Sequence, residues 1–340
     1  MRGDRLSGHT LAATQRSIKA EASLATWALT AINDLGHSPD TALLSAALQR
    51  DIQQARDRIF CLLSFVYDSR AIMRARDAIN FGSGAQRAYG LDLIDTLVIK
   101  ELKVYILPLV EELAETNRLK RLTGFFPQAS LDRDQRLRNI INQSPSIWTK
   151  ACAVYTIGRL HAEALKADVA GLTSSIDPLV RDAAQWASAQ FDSATSHQGP
   201  AMLSTIERVI ILKSVEIFEG TPDEVLAEIA ALLEEVDVSA GQTLFTKGAL
   251  GDSLYIVIDG KLRAHDGDYV LNDLVERDVF GEMALLDPEP RSASVTAVED
   301  SHLFRLDQIP FYDLMADRSE VARGIIRVLT GRLRGRMHDL

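Results

Sequence analysis

The 340 residues of this protein contain few cysteines and no long uninterrupted apolar run, and each of these absences excludes a class of protein. It has two cysteines, Cys61 and Cys152, in predicted helices far apart in the sequence, so we expect reduced thiols in the core and no disulfide. Charged residues interrupt its most apolar stretch, 91–110, and the first residues contain no apolar signal-peptide core. These absences predict a chain without a membrane span, located in the cytoplasm or forming the cytosolic part of a membrane protein.

The chain also has no excess of positively charged residues. The formal net charge of −10 argues against a nucleic-acid partner, because neutralising phosphates requires a basic face. The seven histidines show no metal-ligand spacing, which predicts no metal site. Gly82-Ser83-Gly84 lacks a preceding strand and a following Gly-Lys-Ser/Thr, so it does not predict a phosphate loop. No combination of nucleophile, base and oxyanion donors is recognisable, and we predict that the protein is not an enzyme.

Helical patterning fills the first two thirds of the chain. Apolar spacing predicts one helix over 5–35, which ends at Gly36, and a second from Ser38-Pro39-Asp40 to about Tyr67. Shorter helices are predicted to follow, and no alternation typical of β-strands occurs before about residue 235. Polar breaks separate the shorter helices at 81–84, 123–124 and 143–145.

Three segments, 87–94, 150–157 and 182–189, resemble one another. Aligning Ala88, Ala151 and Ala183 gives separations of 63 and 32 residues, which are two units and one unit of a period near 31 or 32. We expect these small residues to let neighbouring helices pack closely. The segment 175–187 resembles a helix of the HEAT-repeat family, and this resemblance implies a solenoid of stacked helix pairs. A plain helical bundle is the alternative.

A polar, aperiodic stretch near residue 195 predicts a linker. The predicted domains are therefore a HEAT-like helical domain over 1–192, a linker over 193–203 and a second domain over 204–340. A helix is predicted over 202–213, across the boundary between the linker and the second domain. The sequence Thr221-Pro222-Asp223 then predicts another helix, with Thr221 as its cap and Pro222 at its first position.

The pattern changes to a period of two from Val236. Short strands with glycine turns predict a compact β-roll, including a hairpin around Asp266-Gly267. The predicted fold class is therefore α+β and multidomain, with an all-α solenoid followed by a jelly-roll-like β-roll and its flanking helices. Strands are predicted over 254–258, 261–265, 268–271, 273–275, 293–298 and 302–306.

The stretch 280–295 has the chemistry of a sugar-phosphate site. Gly281 permits close approach of the backbone, and the short helix predicted over 282–286 presents N–H groups that suit an anion. Arg291 follows a rigid Pro-Glu-Pro corner and can direct a forked guanidinium at the same anion. Glu282 has the wrong charge for phosphate, so we expect it to accept a hydrogen bond from a hydroxyl group.

Residues 205–335 resemble the cyclic nucleotide-binding domain family. The resemblance is carried by Gly251-Asp252 before a buried strand, Gly260, Phe280-Gly281-Glu282-Met283-Ala284-Leu285 and Arg291-Ser292-Ala293-Ser294-Val295. It implies that Glu282 binds the ribose 2′-hydroxyl and Arg291 the cyclic phosphate. It also implies a cradle of main-chain groups, for which the candidates are Gly281, Ala284, Leu285, Ser292 and Ala293.

The family resemblance implies a sensor of cAMP in preference to cGMP, although Ser292 leaves the choice of base open. A final helix over about 318–336 is expected to close over the ligand. The helical repeats would then pass the change to a protein partner or to a covalently linked membrane transporter domain. The second option comes from a resemblance to the soluble region of bacterial ATP/ADP-carrier-like proteins with HEAT repeats and a cyclic nucleotide-binding domain. The competing interpretation is a constitutive interaction scaffold with a structural, non-binding roll.

Overall fold

The computed structural model describes residues 8–192, 203–218, 220–286, 290–317 and 322. By its internal contacts the chain divides into two compact units, residues 1–175 with 187–191 (the helical unit) and residues 176–186 with 192–340 (the C-terminal unit). The domain boundaries expected from the sequence, 1–192, 193–203 and 204–340, remain predictions. None of the helices in the described ranges is long and apolar enough to cross a membrane.

Helices alone occupy the described residues up to Asp192, as their apolar spacing predicts. In chain order they are α1 (Gly8–Leu35), α2 (Ala42–Val66), α3 (Ser69–Phe81), α4 (Gly84–Leu97), α5 (Lys100–Val110), α6 (Glu115–Thr123), α7 (Arg133–Gln143), α8 (Ile147–Arg159), α9 (Lys166–Leu172) and α10 (Pro178–Asp192), with a 3-10 turn at Glu163–Leu165. The predicted breaks at 81–84, 123–124 and 143–145 all coincide with helix ends.

Side-chain caps explain where several of these helices begin. Asp68 accepts a hydrogen bond from the backbone N–H of Ala71 at the start of α3. Ser83 and Gln86 form a capping box at the start of α4. Each cap satisfies an N–H group that has no partner within its own helix, and so defines the helix boundary.

The repeat-like segments lie in α4, α8 and α10, but they do not pack in the same way. Ala151 and Ala183 are fully buried, as expected for close helix packing. Ala88 is exposed, so the expectation was wrong for this residue. The close approach in α4 occurs at Gly90, where a Cβ atom would lie 2.9 Å from the carbonyl oxygen of Ala75 in α3. The helix-rich architecture is confirmed, whereas the HEAT solenoid remains a prediction.

The core of the helical unit also contains a buried ion pair. Arg136 in α7 donates from Nε to Oδ2 of Asp34 at 3.0 Å, and both side chains are at most 4% exposed.

The prediction that both cysteines lie in the core as reduced thiols is correct only in part. Neither cysteine forms a disulfide, and Cys152 is buried, but Cys61 is exposed because it lies on the outer face of α2.

The C-terminal unit contains two antiparallel sheets. Its elements in chain order are α11 (Thr205–Lys213), a 3-10 turn at Glu216–Phe218, α12 (Asp223–Ala230), β1 (Glu234–Val238), β2 (Thr243–Phe245), β3 (Ser253–Asp259), β4 (Leu262–Asp266), β5 (Tyr269–Leu274), β6 (Val279–Phe280), α13 (Glu282–Leu286), β7 (Ser294–Ala297), β8 (Ser301–Asp307) and α14 (Gln308–Asp317). The strand orders of the two sheets are β1-β8-β3-β6 and β2-β7-β4-β5, and residues from both sheets share one apolar core. This confirms the predicted antiparallel β domain with its flanking helices.

Two local features of this unit, a helix cap and a hairpin turn, lie one residue later in the chain than the sequence predicted. Pro222, not Thr221, occupies the N-cap of α12, and no side chain caps this helix. In the hairpin, Asp266 pairs with Tyr269, so the two turn residues are Gly267 and Asp268. Gly267 has a φ of +59°, a conformation that glycine adopts without the steric strain of a Cβ atom.

Candidate functional site

The candidate site begins at Gly281, where the chain turns between β6 and α13. Its φ of +77° lies in the left-handed region. A Cβ atom at this position would lie 2.5 Å from Nη1 of Arg291 and 2.9 Å from the carbonyl oxygen of Ser253. Both the backbone conformation and the available space therefore require glycine here.

Arg291 is held at its backbone and at the end of its side chain. Its N–H donates to the carbonyl of Ala249 at 2.8 Å, and its own carbonyl accepts from the N–H of Gly248 at 2.8 Å. Nη1 donates to the carbonyl of Ser253 at 2.9 Å, and Nη2 donates to Oγ of Ser253 at 3.2 Å. A Cβ atom at Gly251 would overlap the guanidinium, so this residue is also restricted to glycine. These contacts fix the guanidinium in one orientation.

Two aromatic rings lie close to the guanidinium of Arg291. The Cζ atom of Arg291 lies 4.2 Å from the ring centroid of Phe245 and 5.9 Å from that of Tyr255. Tyr255 in turn stacks on Phe280, with 5.4 Å between the ring centroids. Cation–π attraction therefore stabilises a positive charge that has been largely removed from water.

The charge of Arg291 has little compensation from within the protein. Its side chain is only 7% exposed, and this burial lowers the pKa of Arg291; the charge of Arg305 lowers it further, while Asp252 and Tyr255 oppose the shift. Among the described residues no carboxylate lies within 4 Å of the guanidinium, and its buried Nε has no hydrogen-bond acceptor. A buried polar group without a partner is unfavourable, so the arrangement is suited to an anion that enters from outside the protein.

A cavity of about 190 Å³ lies beside Arg291. It is smaller than the roughly 300–1,000 Å³ typical of sites for drug-sized ligands, and is suited to part of a ligand, such as its phosphate and sugar. The carbonyl of Ala284 at this cavity accepts a hydrogen bond from Nε2 of Gln308 at 3.4 Å, which connects α13 with α14. The cavity is lined by Gly281, Glu282, Met283, Ala284, Pro290, Arg291 and Ser292.

The structure brings together five of the seven residues named from the sequence, namely Gly281, Glu282, Ala284, Arg291 and Ser292. Leu285 follows in α13, and Ala293 is half-buried next to Ser292 without lining the cavity. Their roles toward a ligand remain predictions.

Sequence reasoning missed the residues that hold the guanidinium in place. Ser253 directly follows the recognised Gly251-Asp252 pair, so its position could have been noticed. Phe245 lies 46 residues before Arg291 in a short strand, where no local pattern indicates its role. In the part of the chain that the structure describes, no group of three or more His, Cys, Asp or Glu side chains could hold a metal ion.

Residues 235–318 match the family described as cyclic nucleotide-binding domain. The C-terminal part of this chain therefore carries such a domain, which confirms that part of the family resemblance.

Relatives of this domain include regulators of two kinds. The chain is 36% identical over 135 residues to a CRP-like cAMP-activated global transcriptional regulator of Mycobacterium tuberculosis, and this match covers 38% of the chain and 60% of the relative. It is 33% identical over 120 residues to a cAMP-dependent protein kinase regulatory subunit of Aspergillus fumigatus, covering 35% of the chain and 28% of the relative. The chain thus spans less than two thirds of the length of these relatives.

A solved structure, the N-terminal domain of a transcriptional regulator from Streptomyces coelicolor A3(2), matches at 32% identity with a TM-score of 0.36. This match covers 38% of the chain and 94% of that domain.

Proposed function

We propose that the protein is a cyclic-nucleotide sensor with a regulatory, non-catalytic role, and that it binds cAMP in preference to cGMP. The observation that carries the proposal is the buried guanidinium of Arg291, which has no carboxylate partner among the described residues and borders a cavity together with Glu282. The preference for cAMP is supported by the names of the mycobacterial and fungal relatives.

In the proposed complex, Arg291 takes the cyclic phosphate and Glu282 accepts a hydrogen bond from the ribose 2′-hydroxyl. The half-buried position of Glu282 at the start of α13 supports its role, because a carboxylate there can reach a hydroxyl without being fully desolvated. Main-chain groups of Gly281, Ala284, Leu285, Ser292 and Ala293 complete the cradle.

We further propose how binding is transmitted. The final helix, 318–336, closes over the base; apart from residue 322, this segment lies outside the described residues. The hydrogen bond from Gln308 to Ala284 supports this route, because it links the cavity to the helix that precedes 318. The free energy for closure must come from tighter binding of the ligand by the closed state.

The helical unit is proposed to act as a HEAT-like array that relays this change to a protein partner or to a linked membrane nucleotide transporter. The sequence resemblances described above support this role. Neither of the two cysteines forms a disulfide, which supports a cytoplasmic location.

Calorimetric titration of the full chain with cAMP and with cGMP tests the proposal. We expect saturable binding that is tighter for cAMP. Arg291→Ala should weaken binding by about 2–5 kcal/mol, because it removes the charge partner of the phosphate. Arg263→Ala is the matched control, since Arg263 is half-exposed, pairs with Asp273 at 2.8 Å and does not line the cavity. Absence of both heat and thermal stabilisation with either nucleotide at millimolar concentration would contradict the proposal.

One observation favours the alternative of a constitutive scaffold with a non-binding roll. Two of the three guanidinium nitrogens of Arg291 already donate to Ser253, and the group packs on Phe245. Under this alternative, Arg291 only cross-links β3 to the segment before β7. Thermal unfolding separates the two, because a ligand that binds the native state raises its melting temperature whereas a purely structural roll is indifferent to nucleotide.

A further inference from the structure

A groove of about 900 Å³ in the helical unit is lined by four arginines. It is formed by parts of α2, α3, α4 and the segment from the end of α5 into α6, so it is separate from the cavity beside Arg291. Its volume falls within the range of about 300–1,000 Å³ that is usual for small-molecule sites. The arginines are Arg56, Arg76, Arg87 and Arg118.

Two of these arginines are already neutralised. Arg87 pairs with Glu112 at 2.7 Å, and Arg76 pairs with Asp77 at 2.7 Å. Another acidic residue of the groove, Glu111, pairs with Arg121 at 3.0 Å, and Arg121 lies outside the lining. Most of the negative charge at the groove is therefore engaged.

Arg56 and Arg118 are in a different situation. Among the described residues, neither has a carboxylate within 4 Å. Arg56 donates from Nη1 to Oε1 of Gln53 at 3.1 Å and from Nη2 to Oδ1 of Asn80 at a marginal 3.5 Å. Its Nε is buried and has no acceptor. Arg118 donates to two backbone carbonyls, those of Pro108 at 3.1 Å and Glu111 at 3.0 Å.

The two guanidinium groups are close enough to repel each other. Burial lowers the pKa of Arg56, the positive charge of Arg118 lowers it further, and the carboxylate of Asp57 only partly opposes this shift. Asp57 is exposed at the groove and accepts a weak hydrogen bond from Gln53 at 3.4 Å. Two neighbouring cations with this little compensation favour a dianion between them.

We propose that the groove binds a small phosphate-bearing molecule, whose phosphate oxygens accept hydrogen bonds from Arg56 and Arg118. The planar fork of a guanidinium matches phosphate geometry, and the charge of phosphate is suited to two cations. Phe81 lines the same groove and is 84% exposed. It offers a face on which the ring of an organic phosphate can stack, which inorganic phosphate does not use.

The test uses the full chain with inorganic phosphate, pyrophosphate and ATP as probes, at constant ionic strength. We expect binding by calorimetry and a rise in melting temperature for at least one probe. Arg56→Gln and Arg118→Gln should each weaken that binding roughly tenfold or more, since each removes charge-assisted hydrogen bonds. Arg58→Gln is the control: it lies two residues from Arg56 on α2, pairs with Glu21 at 2.9 Å and does not line the groove.

Three results identify the site and its ligand. Retention of binding in Arg291→Ala separates the groove from the proposed nucleotide site. A further loss for ATP alone in Phe81→Ala indicates an organic phosphate, whereas equal binding of inorganic phosphate indicates the free anion. Arg56→Lys keeps the charge without the fork, and intermediate affinity would support bidentate contact even if Arg56→Gln unfolds. No binding of any probe, or equal loss in Arg58→Gln, overturns the proposal.

Discussion

The helical unit and the C-terminal unit each bury an arginine, and the two units compensate its charge in opposite ways. Arg136 is 2% exposed and forms an ion pair with the equally buried Asp34, with further bonds to Asn139 and to the carbonyl of Ala129. Arg291 is 7% exposed, and among the described residues its side chain donates only to Ser253. A buried charge that stabilises the fold has a carboxylate partner, whereas a buried charge that is available to a ligand does not. Three predictions test this difference, and a fourth concerns an exposed carboxylate.

The largest effect is expected at the paired arginine. Asp34→Ala should destabilise the helical unit by about 3–5 kcal/mol, because it leaves the charge of Arg136 buried without compensation. The measurement is the free energy of unfolding in urea. Asp40→Ala is the control, since it removes the partner of the half-exposed Arg159 and should change stability by less than about 1 kcal/mol. A small effect for Asp34→Ala would mean that neighbouring groups or water compensate Arg136.

Gly281→Ala should have the next largest effect, a loss of about 2–3 kcal/mol. The new Cβ atom adds backbone strain at positive φ and contacts the guanidinium of Arg291. Gly241→Ala is a matched control, because Gly241 has a φ of +79° but nothing within 4 Å of the added atom. It should lose about 1–2 kcal/mol from strain alone. Equal losses in urea unfolding would show that the guanidinium can move away.

Arg291→Met should change the stability of the ligand-free protein by no more than about 1 kcal/mol. It removes a buried charge with little compensation while keeping apolar bulk against Phe245, and such replacements are often neutral. Stabilisation by cAMP should nevertheless be lost. A large loss of stability without ligand, similar to that of Asp34→Ala, would favour the structural role of Arg291.

The smallest effect is expected at a surface pair. Hydrogen bonds from Arg263 and Lys261 lower the pKa of Asp273 from 3.8 to about 2. A lowered pKa in the folded state stabilises the protein above pH 4, and this stabilisation is lost as the pH falls toward 2. Asp273→Asn should therefore be slightly less stable than wild type at pH 6, and the difference should shrink on acidification. Urea unfolding at several pH values measures it; a constant difference would contradict the shift.

Local patterns predicted much of the secondary structure and the location of the candidate site. Apolar spacing and turn residues were sufficient for the helices before Asp192, because each depends on neighbours within a few positions. The same holds for α13, whose glycine entry is visible in the sequence. The errors at Thr221 and at the hairpin of β4 and β5 were shifts of one residue, as expected where boundaries depend on exact cap and turn geometry.

Packing could not be predicted in the same way. Ala88 and Gly90 lie in the same helix, and the sequence does not show which of them faces α3. Cysteine is a residue type that is usually buried, but Cys61 lies on an exposed face of its helix. Which of these residues is buried depends on how the helices pack against each other. The apolar spacing within one helix does not contain this information.

The sequence by itself determined that the first part of the chain is helical, that the last part contains short antiparallel strands, and that Glu282 and Arg291 belong to one stretch, 280–295, with the chemistry of a sugar-phosphate site. Only the tertiary structure decided that Arg291 is buried with so little compensation, while Arg136 has a carboxylate partner. The reason is that burial and pairing arise from contacts between residues far apart in the chain. Arg291 contacts Ser253, which is 38 positions away in the sequence, and Arg136 contacts Asp34, which is 102 positions away.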